Sequence, residues 1–142
     1  MESKDYNIKR FHYEHRLNYG TALREIKNER KDTHWIWYIF PQLKVLGSSD
    51  RAIYYGIENT EEAKNYYNDP YLGEKIREIC QALLECKSSN PLVVMGYPYN
   101  MKLQSSMTLF YMATGDELFK KVLDKFFEGK IDDKTVSFLE ML

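Results

Sequence analysis

The chain has 142 residues, with 20 basic side chains against 21 acidic ones and a net charge of −1. That length suits one domain of ordinary size, able to bury roughly 68–70% of the surface its unfolded form exposes without disulfides or structural metal. A 44% hydrophobic content argues against disorder. The charge balance excludes a uniform basic field for nucleic acid, and no apolar run reaches the roughly 18 residues of a membrane span.

Met1–Asp5 lacks the apolar stretch of a secretory leader, so a cytoplasmic setting is expected. His12 and His15 stand at i and i+3 with no third ligand nearby, so neither a metal nor a cofactor is expected. Tyr19, Ala22, Leu23 and Ile26 follow the spacing of one helix face and predict a helix of about Arg16 to Lys31. Arg24, Lys27, Arg30 and Lys31 read as its solvated side. His34-Trp35-Ile36-Trp37-Tyr38-Ile39-Phe40 then puts seven large residues in a row. Propensity favours a buried strand there, yet no second strand exists to pair with it. The segment is therefore read as a buried helix capped by Asp32-Thr33, beginning at His34 and ended by Pro41.

Asn59 with Glu62 is a capping-box pattern opening a short helix through Tyr67, and Asp69-Pro70 ends it. Pro70 starts a longer helix with Leu72, Ile76, Ile79, Cys80 and Leu83 on one face. Cys80 and Cys86 lie roughly 9 Å apart along that axis and on different faces, so both read as unpaired, reduced core residues. Asn90-Pro91 opens a short segment through Met95, closed by Gly96. A helix of about Tyr99 to Ala113 follows. Gly115-Asp116 begins another, with Leu118, Phe119, Val122, Leu123 and Phe126 inward and Gly129 as its stop. Asp132 or Asp133 caps the last helix. The fold class is all-α: a single compact domain over residues 1–142 with about seven to nine helices.

Two clusters put polar groups where the pattern predicts burial. In the first, His34, Trp37 and Tyr38 share one face of the expected helix, an imidazole beside two rings that suits a base, a sugar or another flat group. The bland alternative is a core histidine among core aromatics, and with 12 tyrosines in the chain most rings serve packing. In the second, Lys102, Ser105 and Ser106 lie on a stripe beside Leu103, Met107 and Phe110, so an ammonium and two hydroxyls face inward together. That set suits phosphate or carboxylate. Its alternative is a snorkelling lysine with serines that allow close helix packing. No glycine-rich phosphate loop and no nucleophile elbow accompanies the serines.

Arg10-Phe11, Lys31, Thr33-His34-Trp35-Ile36-Trp37-Tyr38-Ile39-Phe40-Pro41-Gln42, Gly47, Lys102-Leu103 and Ser105-Ser106-Met107-Thr108-Leu109-Phe110 together resemble domain-of-unknown-function family 1810, whose members are sometimes labelled calpastatin-like. The resemblance runs from about residue 6 to the C-terminus. It implies a small, mainly helical, bacterial protein and carries no activity with it. The calpastatin label implies nothing here, because the composition is not that of an extended inhibitor. Asn100 departs from the acidic residue expected in relatives, which removes one carboxylate partner for Lys102.

Two functional readings follow. In one, a pocket binds or processes a small anionic ligand of nucleotide or ADP-ribose type. His34 is then the candidate acid or base, and Lys31, Trp35, Trp37, Gln42, Lys102, Ser105, Ser106 and Thr108 are the candidate binding residues. The analogy to small helical ADP-ribose-processing domains rests on fold class and residue types, and Glu29 and Asp32 are the nearest carboxylates for such chemistry. In the other reading the domain is a non-catalytic protein-interaction module, with the same residues as an internal polar network. Neither reading involves nucleic acid or a membrane.

Overall fold

The computed structural model describes residues 5–142; Met1–Lys4, within the segment on which the expectation of a cytoplasmic setting rests, lie outside the described residues. The architecture is all-α, with nine α-helices among the described residues: α1 (His12–Lys27), α2 (Ile36–Ile39), α3 (Asp50–Tyr54), α4 (Thr60–Asn68), α5 (Pro70–Glu85), α6 (Pro91–Val94), α7 (Tyr99–Thr114), α8 (Glu117–Phe127) and α9 (Asp133–Met141). None of the described helices is long and apolar enough to cross a membrane.

Helix starts follow the side chains that satisfy their free N–H groups. Asn59 accepts from the Glu62 N–H at 3.0 Å, Asp69 from Leu72 at 2.9 Å, Asn90 from Leu92 at 2.9 Å and Asp116 from Leu118 at 2.9 Å. Pro70 and Pro91 occupy first-turn positions, where a missing N–H costs nothing. The capping box is incomplete: Glu62 reaches back to the Glu58 N–H at 2.8 Å rather than to Asn59. Gly115 ends α7 at φ 73°, a left-handed turn open to glycine without strain.

Helix α7 is the central element, packed against α4, α8 and α9. Its residues from Ser105 to Phe110 are all buried, the pattern of a helix surrounded by others. Helices α5 and α8 instead bury one stripe each: Leu72, Ile76, Ile79 and Leu83 on α5, and Phe119, Val122, Leu123 and Phe126 on α8. Cys80 and Cys86 are free and buried.

Two expectations are corrected. The first helix begins at His12 and ends at Lys27, one turn earlier than its apolar spacing predicts, and a turn through Asn28–Arg30 follows. Within that turn Glu29 adopts φ 58° and accepts from the Ser88 and Lys87 N–H groups at 2.7 and 3.0 Å. The aromatic run is a single helical turn, not a helix capped by Asp32-Thr33 from His34 onward. The N–H groups of Asp32 and Thr33 go instead to the buried Glu25 carboxylate of α1, at 2.8 and 3.0 Å. His34 therefore precedes the helix and is exposed, so it shares no helix face with Trp37 and Tyr38. Long-range bonds hold the segment: Trp35 Nε1 donates to Glu25 at 2.9 Å, and the Tyr66 hydroxyl donates to the Tyr38 carbonyl at 2.7 Å.

Candidate functional site

After α2 the chain turns at Pro41, and Gln42 and Leu43 pair with Ile57 through the Ile57 N–H to the Gln42 carbonyl (2.9 Å) and the Lys44 N–H to the Ile57 carbonyl (2.8 Å). This pairing needs Gly56, because a Cβ there would lie 2.4 Å from the Lys44 Cα. It places Gln42 opposite the first turns of α7. A cleft of about 270 Å³ opens there, lined by Gln42, Tyr97, Lys102, Ser105, Asp132 and Lys134 among others. A narrow notch of about 10 Å³, room for one water, adjoins it and shares Gln42 and Lys102 with it. Ile36, Trp37, Phe40, Ala52, Tyr55 and Gly56 complete that notch.

Lys102 is the electrostatic centre of this region. Its side chain is half-buried, and desolvation lowers its pKa with no carboxylate opposing the shift. Asp132 lines the same cleft, but its carboxylate is already committed. Its Oδ2 accepts from the Thr135 hydroxyl at 2.6 Å, the Thr135 N–H at 3.3 Å and the Ser105 hydroxyl at 2.9 Å, capping α9 and tying it to α7.

The two sequence clusters are thus only partly brought together. Gln42, Lys102 and Ser105 line the cleft, and Trp37 lines the notch beside Lys102. Ser105 serves Asp132 as well, so its hydroxyl is not a free partner for the ammonium. Thr108 donates to the Gln104 carbonyl at 2.8 Å and accepts from the Asp132 N–H at 2.9 Å, which makes it part of the α7–α9 junction rather than of a ligand site. Ser106 is fully buried, and its hydroxyl has no partner among the described residues. Replacing it by alanine removes an unsatisfied polar group and improves helix propensity. Ser106→Ala is therefore expected to raise stability by about 1 kcal/mol, read as a higher urea midpoint at unchanged slope.

Lys31, His34 and Trp35 form a separate group around Tyr99, at the first residue of α7. The Lys31 ammonium lies 3.9 Å from the Tyr99 ring centre and 4.8 Å from that of Trp35, and it donates to the Thr33 carbonyl. Burial draws its pKa down to about 8 against the pull of Glu25. His34 Nδ1 is 3.5 Å from the Tyr99 hydroxyl. None of these three residues lines the cleft. Sequence reasoning found Asp132 as a cap of the last helix but not its bond to Ser105, and it missed Tyr99 and Glu25 as organisers. Of those two only Glu25 left a signal, a carboxylate on the same helix face as Ala22 and Ile26.

His12 is paired with Asp69 at 3.1 Å and His15 with Tyr71 at 2.9 Å. Among the described residues no three His, Cys, Asp or Glu side chains converge as a metal site would require.

The backbone matches the crystal structure of the conserved hypothetical protein Rv1873 from Mycobacterium tuberculosis with a TM-score of 0.92. The two are 37% identical over 95% of this chain and 97% of that one. No curated protein matches the chain. The family described as Protein of unknown function (DUF1810) matches residues 5–139, a span that includes the aromatic turn, the Lys102 cleft and the Glu25 hub. The chain belongs to the DUF1810 family.

Proposed function

We propose that the cleft between Gln42, the first turns of α7 and the start of α9 binds a small anionic ligand of nucleotide or sugar-phosphate type. The observation that carries this reading is Lys102: a half-buried ammonium with no carboxylate partner among the described residues, facing a cleft of about 270 Å³. A buried ammonium without a partner is costly, and an anion in the cleft supplies one. Lys134 adds a second cation at the rim, so the two ammonium groups outnumber the single Asp132 carboxylate, whose Oδ2 is held by the start of α9. Gln42 offers an amide, and the notch beside Trp37 holds room for a single water next to Lys102. This is a reading of binding; His34, exposed and outside the cleft, has no role in it.

The test is thermal denaturation of the wild type and Lys102→Met against inorganic phosphate, nucleotides, sugar phosphates and dicarboxylates. A ligand at 100 times its Kd adds about 2.7 kcal/mol, or about 9 °C for a chain of this length. We expect one class to shift the wild type and none to shift Lys102→Met. The variant's own Tm is expected to equal or exceed that of the wild type, because it no longer buries an unpaired charge. A shift that survives in Lys102→Met overturns the reading, and a flat panel on both proteins favours the interaction module.

A further inference from the structure

A second recess takes no part in that reading. It has a volume of about 240 Å³, opens between α1, α2 and α3, and is lined by Glu14, Tyr38, Asp50, Arg51, Tyr54 and Tyr55. Tyr55 stands between the other two tyrosines. Its ring meets Tyr54 at 4.8 Å and 87° and Tyr38 at 5.3 Å and 63°, so adjacent walls are steeply inclined to each other. Tyr54 is 55% exposed and presents ring surface at the rim.

The polar groups around these rings are of mixed kind. Glu14 accepts from its neighbour Asn18 at 3.1 Å through one oxygen, and the other takes no bond among the described residues. Asp50, in the first turn of α3, has no partner there either. The Arg51 guanidinium lies 5.0 Å from the Trp37 ring centre. The Tyr38 hydroxyl donates weakly to the His34 carbonyl, at 3.3 Å. Tyr55 lines the recess, and its hydroxyl donates to no described residue. Burial raises the pKa of both Tyr38 and Tyr55; the Glu14 carboxylate adds to the rise and Arg51 opposes it.

These side chains match none of the simplest ligand classes completely. A bare anion meets two carboxylates, a bare cation satisfies those carboxylates but leaves Arg51 and the Tyr55 hydroxyl without an acceptor, and a purely apolar group leaves the Glu14 carboxylate and the Tyr55 hydroxyl unpaired. A ligand that satisfies all of them carries hydroxyls that both donate and accept, together with an apolar face for a ring. The volume lies below the roughly 300–1,000 Å³ of drug-sized pockets, on the scale of a single ring. We propose that this tyrosine-lined cup binds a neutral sugar ring, stacking its C–H face on Tyr54 and placing its hydroxyls against Glu14, Asp50, Arg51 and the Tyr55 hydroxyl. The site shares no residue with the Lys102 cleft itself, meeting only the adjoining notch through Tyr55, and its ligand chemistry is different.

The test is a titration of isotope-labelled protein followed by amide NMR. The probes are the methyl glycosides of glucose, galactose and mannose and free ribose, with tetramethylammonium and inorganic phosphate as counter-probes. At least one sugar is expected to give saturable shifts at Glu14, Tyr38 and residues 50–55. Tyr54→Ala, a change at an exposed ring, and Glu14→Gln, which keeps the shape, are each expected to weaken that binding about tenfold. Lys102→Met is expected to leave it unchanged, whatever becomes of phosphate at the other cleft. The proposal is overturned if no sugar moves these amides, if tetramethylammonium or phosphate moves them instead, if Tyr54→Ala leaves the affinity intact, or if Lys102→Met abolishes it.

Discussion

Glu25→Ala is expected to lower stability by about 4 kcal/mol, close to 13 °C in Tm for a chain of 142 residues. Glu25 is 6% exposed, and its carboxylate is the sole acceptor for four donors. One oxygen takes the N–H groups of Asp32 and Thr33 at 2.8 and 3.0 Å and the Trp35 indole at 2.9 Å; the other takes the Thr33 hydroxyl at 2.6 Å. Burial pushes the carboxyl pKa upward, but these bonds outweigh it and hold it at about 2. Alanine strands the indole N–H of Trp35, a side chain only 1% exposed, and hydrogen bonds to a charged acceptor contribute about 1.5–3 kcal/mol each before relaxation. Gln keeps the shape and one good acceptor, and the Thr33 hydroxyl can turn to accept from the new amide. Glu25→Gln is therefore expected to cost only about 1–2 kcal/mol. Urea denaturation of both variants at neutral pH decides the matter: an alanine variant within about 1 kcal/mol of wild type would show that the hub is not what fixes this segment. The consequence reaches the site, because Trp35 immediately precedes the turn that carries Trp37 and leads to Gln42. Anion binding at Lys102 is expected to weaken along with stability.

That hub also explains which parts of the molecule are legible in the sequence. Helices α5 and α8 can be read directly, since their apolar residues recur at the helical period and their starts carry Asp69-Pro70 and Asp116. The aromatic turn cannot. Its conformation is set by Glu25 from α1 and Tyr66 from α4, partners that local propensity does not see. Lys102 is legible because a lysine on an inward-facing stripe needs an explanation wherever the helix packs. The hydroxyls near it mislead for the same reason. Ser105 and Thr108 also face inward, but they meet Asp132 at the start of α9, a partner more than twenty residues away, and Ser106 faces inward without a partner among the described residues. The tyrosine cup has no sequence signature at all. Tyr38, Tyr54 and Tyr55 reach one space from two segments, and Glu14 reaches it from a third.

On acidification from pH 7 to pH 3 the protein is expected to lose about 4 kcal/mol through His15 alone, about half of it by pH 5. His15 is 1% exposed on α1, stacked on Tyr19 with ring centres 5.2 Å apart and hydrogen-bonded at Nδ1 to the Tyr71 hydroxyl. Burial lowers its pKa to about 3, and the positive charges of His12, Lys75 and Arg16 act in the same direction. The unfolded ring takes its proton near 6.5, while the folded ring stays neutral until about 3. Throughout that window the unfolded chain binds the extra proton, so stability falls as pH falls, by up to about 1.4 kcal/mol per unit. Glu25 acts in the same sense but lower, between its ordinary value of 4.5 and about 2, so the loss between pH 7 and pH 5 separates His15 from it. His15→Phe keeps a ring against Tyr19 and removes the titration. Its stability is expected to be flatter by about 2 kcal/mol over that interval, whatever its value at pH 7. Chemical denaturation of both proteins at pH 7, 6 and 5 measures the slopes directly. Equal slopes would mean that the folded ring takes up its proton as readily as the unfolded one, which the closed packing against Tyr19 and Tyr71 contradicts.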